Sequence, residues 1–165
     1  MTIETNVKQS LTGQDNYFEN FEVGAVYRHA RGKTVTENDA VTICHMVMNT
    51  ASAHYDDDMM KQLHAAGLAH VDRSLVYGGV TIAISIGLAY QDTGENVIRE
   101  VSMDNIKLKS PVLHGSTITA YTEVLSKEES DHGAGLVTFR HYGVDQDKNL
   151  VFQGDRTALI RKKQQ

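Results

Sequence analysis

A histidine followed closely by carboxylates is the most reactive group of side chains in this sequence. His54 comes after a run of small and polar residues, Asn49–Ala53, and is followed by Asp56, Asp57 and Asp58. A histidine suits the movement of protons because the pKa of its imidazole lies near neutral pH. Since His54 precedes a predicted helix and follows small residues, we expect its ring to reach into a cleft.

The same side chains have the chemistry of metal ligands, because imidazole and carboxylate groups both bind divalent ions. Adjacent residues on one helical turn rarely converge on a single ion, so we favour proton transfer over a metal site. Asp56 or Asp57 is instead expected to cap a helix that continues to Leu63, where unpaired N–H groups favour negative charge.

The pair Gly78–Gly79 is a second candidate for chemistry. Backbone N–H groups at a helix N-terminus have no partners within the helix and carry the positive end of its dipole. With no side chains in the way, these N–H groups could stabilise an oxyanion. The glycines could equally serve close packing of the helix on a sheet, and that alternative stays open.

The apolar segment Leu75–Tyr90 must position these glycines. It contains no charged residue, and each helical face of it is apolar, which is typical of a buried helix. Its length of about sixteen residues is short of the roughly 20 that a membrane span needs. We expect a helix that begins near Gly78–Gly79, ends before the turn at Asp92–Gly94, and is buried on all sides by a sheet.

The sequence after this helix alternates between apolar and polar residues, as strands do. We expect a meander of four strands, the first with a kink at Asp104–Asn105. Their predicted ranges are 97–108, 117–126, 136–145 and 150–160. The fold class is therefore α+β, a long buried helix and an antiparallel sheet.

Before the central helix, the sequence predicts smaller elements. Ala25–Arg28 and Lys33–Val35 are expected to be two short extended pieces separated by Gly32. Thr36 is expected to cap a helix that continues to about Met48, with the thiol of Cys44 packed inside the protein.

The composition is that of one soluble domain. The chain has 165 residues and a formal net charge of −5, which gives no reason to expect nucleic acid. Its single cysteine excludes an internal disulfide and is typical of a reducing compartment, so we expect a cytoplasmic protein. Met1–Gln14 is polar and unlike a signal peptide. We expect residues 1–16 to form a flexible arm and residues 17–163 a single domain.

Four short stretches carry a resemblance to a known family. Thr34–Asp39 is similar to a family helix start that reads TVTEAD. Asn49–Asp56 has the spacing of the motif Asp-x-Asn-Pro-x-His-x-Asp, and Tyr77–Gly79 stands where the family usually has His-Gly-Met. Pro111–Thr117 is similar to a family segment PV..GDT. Over about residues 17–162 the chain thus resembles the MaoC-like dehydratases, or (R)-specific enoyl-CoA hydratases, nearest the mesaconyl-CoA hydratase-like branch.

The resemblance implies a hot-dog fold, in which an antiparallel sheet wraps a long central helix. It also implies reversible addition of water to a short-chain enoyl thioester of coenzyme A or an acyl-carrier protein, without a cofactor. In this chemistry His54 moves a proton, and the amides of Gly78 and Gly79 stabilise the enolate oxygen. The neighbouring residues expected to contact the substrate are Ala53, Tyr77 and Val80.

One position departs from the family motif. Asn49 stands where the family has an aspartate that acts with the histidine on the water, and an amide cannot exchange a proton at neutral pH. His54 could then perform all proton transfer while Asn49 orients the water, or one of Asp56, Asp57 and Asp58 could replace the acid. A weak enzyme, another reaction or an acyl-thioester binding subunit is the third alternative. A thioesterase is a further one, since it polarises the same carbonyl.

A lone hot-dog unit exposes one sheet edge and one end of its helix. Pairing of two such edges would cover both, so we expect a homodimer with its sites at the interface.

Overall fold

One sheet and one long helix define the architecture of the described residues, 7–9 and 16–164, in the computed structural model. The strands are Val7–Gln9 (β1), Val26–Thr34 (β2), Val97–Leu108 (β3), Thr117–Ser130 (β4), Ala134–Val144 (β5) and Leu150–Arg161 (β6). The α-helices are Glu37–Met46 (α1), Asp57–Ala65 (α2) and Gly78–Thr93 (α3). Short 3-10 helices occupy Phe18–Asn20 and Ser52–His54.

The helix α3 packs against β2, β4, β5 and β6. These four strands are antiparallel neighbours in the sheet, and β1 joins β2 in parallel. The helix approaches β5 closely at Gly143, where a Cβ atom would collide with the hydroxyl of Ser85. The arrangement confirms the predicted α+β hot-dog fold.

The order of the strands differs from the predicted meander. The sheet has the order β1-β2-β4-β5-β6-β3, so β3 pairs with β6 at the edge and not with β4. The prediction of a meander was wrong because alternation identifies a strand but not its neighbours. The expected kink is present, since the register shifts between Asp104 and Lys107 and Asn105 has a φ of 51°.

The smaller elements largely follow the prediction. β2 is one strand and not two pieces, although its register shifts between Arg28 and Gly32. Thr36 caps α1, and its hydroxyl accepts a hydrogen bond of 3.1 Å from the N–H of Asp39. Lys33, whose Nζ lies 2.8 Å from the Asp39 carboxylate, and the Thr36 donors lower the pKa of Asp39 to about 2. Cys44 is buried, as expected.

The helix α3 is not buried on all sides, contrary to the prediction. Ser85 and Ala89 are fully buried, whereas Ala83 and Gly87 are exposed. The reason is that the sheet covers only one side of the helix. The edge strand β3 also exposes apolar side chains, namely Ile98, Val101, Met103, Ile106 and Leu108. We call the surface formed by Ala83 and Gly87 of α3 and by these side chains of β3 the apolar edge.

The predicted N-terminal arm lies mainly outside the described residues. Residues 1–6 and 10–15 are not described, and Val7–Gln9 pairs with β2. The division into an arm and a domain over residues 17–163 therefore stays a prediction. No helix within the described ranges has both the length and the apolar character required to cross a bilayer.

A chain of buried polar side chains connects the end of α3 to the sheet. The Nδ1 atom of His29 lies 2.5 Å from Oδ2 of Asp92, and its Nε2 atom lies 2.7 Å from Oγ1 of Thr122. That hydroxyl in turn lies 2.8 Å from Nδ1 of His141. Burial lowers the pKa of His141 well below its ordinary value, and the charge of Arg156 acts in the same direction. Since a hydroxyl has one proton, Thr122 can donate to no more than one of the two imidazoles.

Replacing Thr122 by valine keeps the shape of the side chain but leaves two buried imidazole nitrogens without this partner. We expect Thr122→Val to lower the free energy of unfolding by about 1–3 kcal/mol, as measured by urea denaturation. Thr119→Val is the matched control, because Thr119 lies on the same strand and is only half-buried. Equal losses in the two variants would contradict a stabilising role of the polar chain.

Candidate active site

A cleft opens where the start of α3 meets the loop after β3. It has a volume of about 310 Å³. Its wall is formed mainly by apolar residues, and its lining comprises His54, Leu75, Val76, Gly78, Thr81, Leu108, Lys109, Ser110, Pro111 and Val112. A mostly apolar wall with few polar groups is typical of a site for a small organic molecule. Of the predicted site residues, the structure brings His54 and Gly78 together in this lining.

The imidazole of His54 is oriented by a backbone carbonyl. Its Nδ1 atom lies 2.9 Å from the carbonyl oxygen of Leu75. Because a carbonyl oxygen only accepts hydrogen bonds, Nδ1 must carry the proton of the neutral ring. The lone pair of the neutral imidazole is then on Nε2. His54 can therefore act as a base through Nε2.

The segment Ser74–Tyr77, which we call the strap, connects this histidine to α3. Its first three N–H groups all donate to other parts of the site. Ser74 donates to Oδ1 of Asp57 at 2.7 Å. Leu75 donates to the carbonyl of Ala53 at 2.8 Å, and Val76 to that of Val112 at 2.9 Å. The strap is thus held by the loop of His54, by α2 and by the loop after β3.

The first N–H groups of α3 are available to a ligand. Tyr77 is the N-cap residue but makes no side-chain capping bond, and its carbonyl accepts from Val80 at 2.8 Å. Among the described residues, no acceptor binds the N–H groups of Gly78 or Gly79. These are the two donors that an oxyanion hole at this helix would use.

The packing alternative for the glycines also applies. A Cβ atom at Gly78 would collide with the side chain of Leu108, and one at Gly79 would collide with the ring of Tyr77. The ring of Tyr77 contacts His54, with ring centroids 5.6 Å apart and an interplanar angle of 62°. The absence of a side chain at residue 79 therefore lets Tyr77 pack against the histidine.

Asn49 takes part in the structure of the loop. Its Oδ1 atom accepts from the N–H of Ala51 at 3.1 Å, and its backbone carbonyl accepts from the hydroxyl of Tyr55 at 2.8 Å. The amide oxygen thus already accepts one hydrogen bond, and its second lone pair and the amide N–H groups could hold a water. Asn49 is not part of the cleft lining, so its role towards a water stays a prediction.

The three aspartates after His54 have separate structural partners. Asp56 caps α2 by accepting from the N–H of Met59 at 2.9 Å, which confirms the predicted cap. Asp57 accepts from Ser74, and Asp58 accepts from the side chain of Gln62 at 2.9 Å. None of these three bonds reaches His54, so the geometry does not favour an aspartate as the missing acid. In the described part of the chain, no group of three metal-ligating side chains is placed to hold an ion.

The predicted substrate contacts occupy different environments. Ala53 precedes His54 in the chain, and its carbonyl accepts from the N–H of Leu75. Tyr77 contacts His54 through its ring. The side chain of Val80 is 0% exposed and belongs to the core. Substrate contact by these three residues stays a prediction. Sequence reasoning missed the carbonyl of Leu75, the Asp57–Ser74 bond and Lys109, because the first two are long-range contacts and a lone lysine carries no signal.

A double-mutant cycle tests the contact between residue 79 and Tyr77. Gly79→Ala should displace the ring of Tyr77 and lower the free energy of unfolding by about 1–3 kcal/mol, as measured by thermal denaturation. In a Tyr77→Ala background the same change should cost much less, because the obstructing ring is gone. Additive losses in the double variant would show that Gly79 does not serve this packing.

Comparison with known proteins agrees with the fold and with the family resemblance. A family model described as mesaconyl-CoA hydratase matches residues 8–162. The mesaconyl-CoA hydratase of Haloarcula marismortui is 30% identical over an alignment of 164 positions, gaps included, and this alignment covers 92% of this chain and 44% of that protein. The chain thus spans less than half the length of this curated relative.

Two solved structures share the fold. A MaoC domain protein dehydratase from Chloroflexus aurantiacus has a TM-score of 0.83 at 21% identity, over 98% of this chain and 42% of that one. A protein of Mycobacterium tuberculosis described as having a double hot-dog fold has a TM-score of 0.77 at 21% identity, over 89% and 44% of the chains. The family-model match extends over nearly the whole sequence, and on this evidence the chain belongs to the mesaconyl-CoA hydratase family.

Proposed function

We propose that this chain catalyses the reversible addition of water to the double bond of a short-chain enoyl thioester of coenzyme A. The observation that carries the proposal is the orientation of His54, whose Nδ1–H is bound to Leu75 while Nε2 remains for chemistry. The histidine shares the cleft with Gly78, at the positive end of α3. Membership of the family supports the same reaction.

The hydration can be written with His54 as the only proton carrier. Nε2 removes a proton from a water, the oxygen of the water forms a bond to Cβ, and the electrons of the double bond move to the thioester oxygen as an enolate. The N–H groups of Gly78 and Gly79 stabilise that oxygen by donating to it. The imidazolium then returns the proton to Cα, and the carbonyl re-forms. One water is consumed, and the histidine ends in its initial state.

The remaining lining of the cleft suits the other parts of the substrate. The apolar side chains around Val76, Leu108 and Val112 favour a short acyl group. Lys109 is the lysine of the lining, and its ammonium would attract the phosphates of coenzyme A. Mesaconyl-CoA is the first substrate to test, because it appears in the name of the relative from Haloarcula marismortui.

The proposal is tested by following the loss of ultraviolet absorbance of the conjugated thioester with mesaconyl-CoA and crotonyl-CoA. Wild type should hydrate at least one of these substrates, and His54→Ala should lose at least about 10²-fold in kcat, the usual contribution of general acid–base catalysis. Asn49→Asp should raise kcat, because a carboxylate would share the proton transfer with the histidine.

Other outcomes separate the alternatives. Release of free thiol by wild type, without addition of water, would mean a thioesterase. Wild type that binds the thioesters without turnover, together with an active Asn49→Asp variant, would mean a binding subunit. Either result would refute the hydratase.

A second hot-dog unit completes the proposed enzyme. In a single chain, the β3 side chains of the apolar edge are 45–54% exposed. The two solved structures described above belong to chains about twice as long as this one, and one of them is described as a double hot-dog. We propose that a second copy of this chain covers the apolar edge, so that the sites lie at the interface of a homodimer.

A charge placed on the edge strand should split this dimer, because an edge lysine opposes pairing of strands. Wild type is expected to have the mass of two chains in light scattering coupled to size-exclusion chromatography, and Val101→Lys the mass of one. Val23→Lys is the matched control, since Val23 is 61% exposed and lies outside the apolar edge. Wild type with the mass of one chain at micromolar concentration would contradict the homodimer.

A further inference from the structure

The carboxylate of Asp57 lies in the first turn of α2 but binds a residue that is distant in sequence. Its Oδ1 atom accepts from the N–H of Ser74 at 2.7 Å, across 17 positions of the chain. Ser74 itself is 8% exposed, so this bond is partly shielded from water. The carboxylate thereby joins α2 to the beginning of the strap.

The strap contains the two groups on which the proposed reaction depends. Leu75 provides the carbonyl that keeps the proton of His54 on Nδ1. Tyr77 is the N-cap residue from which α3 begins, so it places the N–H groups of Gly78 and Gly79. A shift of the strap would therefore affect the proton carrier and the oxyanion donors together.

The charge of Asp57 is suited to a permanent anchor. The N–H and hydroxyl of Ser74 hold the pKa of this carboxyl below its usual range, and the charges of Lys61 and His114 act in the same direction. The carboxylate is therefore ionised at neutral pH, and an ionised acceptor makes a stronger hydrogen bond than a neutral one. The anchor would weaken only in acid, as the pH falls through the lowered pKa.

We infer that Asp57 is a positioning residue, which orients His54 and the start of α3 by holding Ser74 of the strap. The inference rests on the proposed hydratase function for its effect on turnover, but its effect on His54 does not depend on turnover. In this role Asp57 neither touches the substrate nor exchanges a proton with the substrate.

The neighbouring Asp58 provides a matched control. Both carboxylates lie in the first turn of α2 and favour the helix dipole equally, but that of Asp58 binds Gln62 within the same helix. Asp57→Ala and Asp58→Ala therefore remove the same charge from the same turn. The two variants differ in the loss of the bond to the strap.

The first measurement is made on the protein without substrate. The ¹⁵N shifts of labelled histidine report the tautomer of His54, and a His54→Gln variant assigns its signals among the eight histidines. Wild type and Asp58→Ala should show the Nδ1–H tautomer, whereas Asp57→Ala should show a mixture of the two tautomers. Asp57→Asn keeps an acceptor oxygen and should restore the wild-type signals. An unchanged His54 tautomer in Asp57→Ala would overturn the inference.

The second measurement is kinetic. Asp57→Ala should lower kcat by about 10- to 100-fold with a much smaller change in KM, because misplacement of catalytic groups affects the transition state more than binding. Asp57→Asn should recover most of kcat with an unchanged pH profile. If Asp57→Asn is as inactive as Asp57→Ala, and its pH profile loses a limb, Asp57 transfers a proton and is not a positioning residue.

The two measurements separate this inference from the proposed function. A wild type without hydratase activity refutes the proposed reaction, while the tautomer of His54 still tests the anchor. Circular dichroism of each variant shows whether it is folded, and Asp57→Asn provides the test if Asp57→Ala is not.

Discussion

The peptide groups of Leu75 connect the parts of the site. The N–H of Leu75 donates to the carbonyl of Ala53, and the carbonyl of Leu75 accepts from the ring of His54, which follows Ala53 in the chain. Ala53 and His54 thus bind both backbone polar groups of Leu75. The bonds orient the histidine and place the segment from which α3 begins. In the proposed reaction, proton transfer and oxyanion stabilisation therefore depend on the same short stretch of backbone.

The contacts of α3 support this stretch. The helix has buried residues against the sheet, and its far end is held by the buried chain from Asp92 to His141. A helix that is anchored along its length presents its first N–H groups at a constant place, as preorganised stabilisation of charge requires. The structure therefore combines a supported helix with exposed amides at one end. On the side of the apolar edge, α3 is not covered by other parts of the chain that the structure describes.

Asn49 shows how a departure from a motif can be compatible with the fold. In this loop its side chain accepts from Ala51 and its backbone accepts from Tyr55, so the residue stabilises the approach to His54. A carboxylate could accept the same bond from Ala51, so the asparagine is not required by the loop. In the proposed reaction, the substitution removes a carboxylate from proton transfer and leaves that step to His54. The three aspartates that follow serve the cap of α2, the strap and the surface of the helix.

The sequence by itself determined the elements and the residue types of the site. The apolar run predicted the start of α3 near Gly78–Gly79, alternation predicted the four later strands, and the caps were predicted at Thr36 and at Asp56 or Asp57, because these signals are local. The motif spacing is likewise local, and it predicted His54 as a site residue, which the structure places in the lining of the cleft. Only the tertiary structure decided that β3 pairs with β6, that one side of α3 is open, and which nitrogen of His54 carries the proton. Each of these depends on partners distant in the chain. Some of the partners are backbone N–H and C=O groups, which are alike in nearly all residues, so the sequence does not indicate which of them will form the bond.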